Sequence, residues 1–159
     1  MSSVAAQQKF GFKFGRNGAH SARTMMLAEI VELFRGRDAD SSAAQYQEDI
    51  ERFNVLHKPT EKARKLTWRH LVDLYGMDKA IPLFRVFRRM WESDESARAL
   101  LACQMALARD PLLRLSREKI LSLALGQLLP REEMEKALDE QCPDRYSEAM
   151  LKSLAQNVN

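Results

Sequence analysis

Apolar side chains recur along this chain at intervals of three and four, and helix-capping residues stand at the breaks between runs. Ser21 precedes a run that ends at Gly36 and carries Met26, Ile30, Val31 and Phe34 at helical spacing. Ser42 and Gln45 have the spacing of a capping box, with Tyr46, Ile50 and Phe53 on one face behind them and Asn54 as the stop. Thr60 opens a third helix that runs to Gly76. Its inner stripe is Ala63, Thr67, Leu71 and Leu74, flanked by Leu66 and Tyr75. Asp78 caps a fourth, with Pro82 in its first turn and Ile81, Phe84, Phe87 and Trp91 inward. A fifth follows Asp94, turns Ala97, Leu100, Leu101, Met105 and Ala108 inward, and stops at Asp110-Pro111. Ser116 caps a sixth that ends at Gly126. Pro130 opens a seventh with Met134, Ala137 and Leu138 inward, stopped by Cys142-Pro143. Ser147 caps an eighth carrying Met150, Leu151 and Leu154. Only Lys9 to Phe14 departs from this pattern. There Phe10, Phe12 and Phe14 alternate, as in a strand or in an extended arm laid on helices.

The pattern predicts an all-α fold of about eight short-to-medium helices. An extended arm (1–20) leads into a basic helical subdomain (21–92) and a second helical subdomain (93–159). In the latter, the seventh and eighth helices and the turn between them read as a helix-turn-helix, whose second helix would enter a DNA major groove. At 159 residues, 45% apolar and 30% charged, the chain has the composition of a folded globular protein. Cys103 and Cys142 are too few for a disulfide framework and lack metal-type spacing, so a reducing, cytoplasmic setting is expected. The longest apolar run, Ala99 to Ala108, is far short of the ~20 residues of a membrane span. The N-terminus has no apolar core of a signal peptide, so neither export nor membrane attachment is expected.

The net charge of +3 is unevenly spread: residues 1–91 carry 16 basic and 10 acidic side chains, residues 92–159 carry 9 and 12. A basic half joined to an acidic half suggests a polyanionic partner for the first. Its cations cluster. Lys58 precedes the third helix, on which Lys62, Lys65 and Arg69 share one face away from the apolar stripe. Arg85, Arg88 and Arg89 form a second group on the fourth helix, where Arg85 could also pair with Asp78 or Asp73. Lys9, Lys13, Arg16 and Arg23 form a third, arm-like group. On the eighth helix Ser147, Glu148, Lys152, Ser153 and Gln156 point outward, with Arg145 at its entry. Such runs are more often solvated helix faces, and arginine stems also cover apolar surface.

Catalytic signatures are missing. His20, His57 and His70 stand in separate elements without metal spacing, and there is no phosphate loop, GxSxG or HExxH. Glu132, Glu133 and Glu135 suit the dipole at a helix start. Cys103 reads as a small buried hydrophobe and Cys142 as a turn residue with nothing to activate it. No enzyme activity, cofactor, metal or small-molecule substrate is expected.

Several ordered stretches are familiar. Phe53-Asn54-Val55-Leu56-His57-Lys58-Pro59-Thr60, Arg64 to Leu71 and Leu74-Tyr75-Gly76 resemble the BrxA family, found in bacteriophage-exclusion (BREX) defence clusters. So do Leu83-Phe84-Arg85, Met90-Trp91, Ala108-Arg109-Asp110-Pro111-Leu112-Leu113-Arg114 and Asp144-Arg145-Tyr146-Ser147. The likeness covers residues 9–157. It implies an all-helical protein with helix-turn-helix or winged-helix-like parts, non-enzymatic and binding double-stranded DNA, in company with other BREX proteins. DNA contact would fall to Lys58, Lys62, Lys65, Arg69 and the Arg85/Arg88/Arg89 group, or to the last helix through Arg145 and Lys152. The resemblance does not say which. Two other readings of the basic faces are a scaffold docking an acidic protein partner and an RNA-binding helical protein, with Trp68 and the Phe10/Phe12/Phe14 arm as stacking groups.

Overall fold

Local capping chemistry sets most helix starts. The computed structural model describes residues 3–15, 18 and 23–158, and all regular elements among them are helices. These are α1 (Val4–Phe10), α2 (Leu27–Arg35), α3 (Ala43–Glu51), α4 (Glu61–Tyr75), α5 (Pro82–Ser93), α6 (Arg98–Arg109), α7 (Pro111–Leu121), α8 (Arg131–Gln141) and α9 (Glu148–Val158). The all-α expectation holds, and none of these helices is long and apolar enough to cross a membrane. Ser42 and Gln45 close the capping box of α3 reciprocally. Thr60 accepts from the Ala63 amide at the start of α4, and Gly76, at φ 86°, ends it. The Ser147 hydroxyl accepts from the Met150 amide before α9.

Several expected boundaries move, and the end expected at Gly126 falls at Leu121 instead. The first, Ser21, lies outside the described residues, and α2 begins after a left-handed Met26. Asp78 binds the Ala80 amide in the preceding turn, leaving Pro82 to open α5. Asp110 both ends α6 and caps α7, its Oδ1 accepting from the amides of Leu112 and Leu113. With Pro111 at the first position, that cap outcompetes Ser116, which sits mid-helix and buried, its hydroxyl donating to the Leu113 carbonyl. Finally, residues 4–10 of the expected arm are helical, capped by Ser3 and ended at Gly11 (φ 110°).

Residues Gly11 to Phe14 then run without regular structure across the helices, as an arm laid on them would. The Lys13 amide donates to the Ala108 carbonyl, and Lys13 Nζ pairs with Asp73 at 2.7 Å. Two arginines clasp this strap. Arg109, buried, donates to the carbonyls of Gly11 (2.5 Å), Val72 (3.1 Å) and Asp73 (3.3 Å). Arg114 donates to those of Lys13, Leu107 and Ala108. Gly18 lies so close to the Asp110 carboxylate that a Cβ would sit 1.8 Å from Oδ1.

The core has two parts. The larger joins α2 to α6 around an aromatic cluster in which Phe34 meets Tyr46, Phe84, Phe87 and Trp91 at centroid distances of 5.4–6.2 Å. Tyr75 stacks on Phe87 and donates its hydroxyl to the Met25 carbonyl. The smaller core gathers Leu112, Met134, Leu138, Leu154 and Ala155 from α7, α8 and α9. Because Leu101, Ala102, Met105 and Ala106 belong to the first cluster, the division falls at α7 rather than at 92/93. Phe53 and Leu100, expected inward, are 57% and 61% exposed, since α3 ends at Glu51 and α6 turns Leu101 inward instead.

Candidate nucleic-acid interface

The 100° step of a helix places Lys62, Lys65 and Arg69 within an arc of about 60° on α4. Thr67, His70, Leu71 and Leu74 occupy the opposite, buried side, so the three cations are held outward by the packing of that stripe. With Glu61 and Leu66 they line an open groove of about 550 Å3. Lys65 Nζ lies 2.5 Å from Glu61 Oε1, one turn earlier. That hydrogen bond and ion pair lower the Glu61 carboxyl and raise the Lys65 ammonium from their ordinary values. The pair is exposed on both sides, so water and salt screen it and Lys65 can exchange its carboxylate for another anion. Lys62 and Arg69 are exposed and have no partner among the described residues.

His70 is buried, its pKa depressed first by burial and then by the nearby charges of Arg23 and Arg69. Arg23, which reads as part of the N-terminal arm group, thus lies near His70. The rest of that group disperses: Lys13 is tied to Asp73, Lys9 is exposed on α1, and Arg16 lies outside the described residues.

Two expected site residues are absorbed by the fold. Lys58 is half-buried and pairs with Glu29 at 3.0 Å, while its backbone amide and carbonyl bond the Asn54 side chain. This bracket fixes the entry to α4, and the charge of Lys58 is spent on α2. Arg88 is 1% exposed and is no part of a surface. Its guanidinium lies 4.1 Å from the Phe34 ring centroid, donates to the Tyr46 hydroxyl (3.2 Å) and the Arg37 carbonyl, and pairs with Glu92 at 3.1 Å. Its place on the inner side, between Phe84 and Trp91, follows from the helical step. Arg37 in turn makes a two-pronged bond to the buried Asp49, which raises its pKa.

Arg85 and Arg89 remain exposed on α5. Arg85 donates to the Lys79 carbonyl at 3.3 Å instead of pairing with Asp78 or Asp73. No α5 residue lines the α4 groove, so the two groups form no common channel there. Farther along the chain, Arg145 is half-buried, its guanidinium 3.5 Å from Cys142 Sγ and 4.8 Å from the Tyr146 ring centroid. Lys152, Glu148 and Gln156 are exposed on α9. Trp68 is half-buried against the larger core, which limits it as a stacking platform.

Sequence reasoning missed the roles of Arg109 and Arg114; Arg114 had a cue, since it follows the Asp110-Pro111 break where the α6-end carbonyls of Leu107 and Ala108 need donors, whereas the partners of Arg109 on α4 and the arm had none. Among the described residues no group of three His, Cys, Asp or Glu side chains is placed to hold a metal. No family model matches this chain, and neither does any curated protein or solved structure.

Proposed function

We propose that the chain is a non-enzymatic accessory protein of a phage-defence system of the BREX type that binds double-stranded DNA through phosphate contacts from α4, in line with its resemblance to the BrxA family. One observation carries the reading: Lys62, Lys65 and Arg69 stand together along one open groove, two of them without partners among the described residues. Like charges within two turns repel one another, and an anion relieves that repulsion. Phosphate oxygens suit them, because such contacts supply affinity and position without reading bases.

Fluorescence anisotropy of two unrelated duplexes across a salt series tests this. Three phosphate contacts give a slope of log K against log salt of roughly −3, equal for both duplexes. Lys62→Ala, Lys65→Ala and Arg69→Ala together should weaken both complexes equally and flatten that slope. An unbound duplex at ~50 mM salt would sink the proposal. So would a triple variant that keeps full DNA affinity; one that also loses defence-protein partners would point to the scaffold reading. Sequence-dependent binding abolished by Lys152→Ala would move the interface to α9.

A further inference from the structure

One side chain in the α4 groove has the wrong sign for a phosphate ligand. Glu61 lines the groove together with Lys62, Lys65 and Arg69. The helical step places it about 40° beyond Lys65, at the edge of the cationic arc. Its Oε1 lies 2.5 Å from Lys65 Nζ. A carboxylate oxygen at that distance makes the same charge-assisted hydrogen bond that a phosphate oxygen would make to this ammonium. Lys62 and Arg69 carry no such occupant among the described residues. A second carboxylate, Glu51 of α3, raises the Lys65 ammonium through its charge alone, and its own Oε1 accepts from Gln47 at 2.9 Å.

Given DNA binding through α4, on which this rests, we propose that Glu61 is a built-in competitor for phosphate at Lys65. A phosphate engages this lysine only by displacing the carboxylate, so Glu61 holds the affinity of the α4 face below what its three cations would give. Lys62 and Arg69 meet phosphate without losing a bond, whereas Lys65 first gives up its ion pair. The pair is exposed on both sides and spans i to i+4, a class of contact that is weak in water. Displacement is therefore easy, and the competitor weakens the face without closing it.

Fluorescence anisotropy with one duplex at ~50 mM salt isolates the competition when wild type, Glu61→Gln, Lys65→Ala and the double variant are compared. Neutralising Glu61 lessens its repulsion of phosphate whether or not Lys65 is present, but only competition needs both side chains. Glu61→Gln should therefore tighten binding about two- to fivefold more in the wild-type background than beside Lys65→Ala. Glu51→Gln removes a charge near the same lysine without releasing a bond, and should show no such excess. Glu61 and Lys65 are exposed, so the variants keep their fold, which circular dichroism checks. Equal tightening in the two backgrounds overturns the competitor and leaves the α4 interface standing. So does an excess for Glu51→Gln as large as that for Glu61→Gln. A duplex that none of the proteins binds, or a Lys65→Ala change without effect even beside Glu61→Gln, overturns the α4 reading itself and the competitor with it.

Discussion

Replacing Arg88 by Met tests whether this arginine serves the core or a surface. Methionine keeps the apolar stem and removes the guanidinium, which lies over Phe34 and binds the Tyr46 hydroxyl, the Arg37 carbonyl and Glu92. The Tyr46 hydroxyl still donates to the Asp38 carbonyl, so its loss is partial. The Arg37 carbonyl loses its Arg88 donor, at about 1–3 kcal/mol. The desolvated cation–π contact is worth about 2 kcal/mol. Glu92 is 45% exposed and returns to water cheaply. Against these losses stands relief from holding a dehydrated cation, which costs several kcal/mol in the folded state. Offset by that relief, losses of about 3–5 kcal/mol leave a net loss of about 1–2 kcal/mol, or roughly 2–8 °C in Tm for a chain of this size. Urea unfolding followed by circular dichroism measures it. Arg85→Ala and Arg89→Ala are the controls and should each stay within about 0.5 kcal/mol of wild type. The reasoning fails if Arg88→Met matches wild type, or if Arg89→Ala costs as much.

Other positions give equally direct outcomes. Asp110→Ala removes a buried cap that accepts from two amides and should cost about 2 kcal/mol, read as a Tm lowered by about 4–8 °C. Gly11→Ala places a Cβ 2.4 Å from Ile81 Cγ2 at φ 110° and should destabilise by about 1–3 kcal/mol in the same assay, whereas Gly36→Ala, with open space around it, should not. His70 has a depressed folded pKa, so the unfolded chain binds its proton first as pH falls. Its contribution is intact above about pH 6.5 and is lost below it, and urea midpoints at pH 7.5 and 5.5 should differ less in His70→Asn than in wild type.

What could be read locally was read well. The capping box of Ser42 and Gln45, the Thr60 cap, the Gly76 stop and the Pro130 opening each involve groups within four residues of one another, so sequence neighbours determine them. The same holds for the outward arc of Lys62, Lys65 and Arg69, which needs only the helical step. Where two local signals competed, as Ser116 against Asp110-Pro111, the stronger cap with the proline behind it prevailed.

Tertiary structure decided which cations are available. Arg88 meets Tyr46 across 42 residues, Lys58 meets Glu29 across 29, and Arg109 meets Gly11 across 98. No periodicity encodes such partners, because a guanidinium looks the same in sequence whether it faces water or clasps a carbonyl. Sequence by itself determined an all-helical chain with a cationic face on its longest helix. The packing of distant helices determined that Arg88, Lys58, Arg109 and Arg114 hold the fold together instead of adding to that face. The physical reason is that burial, not charge, selects a side chain's partner, and burial exists only once the helices have met.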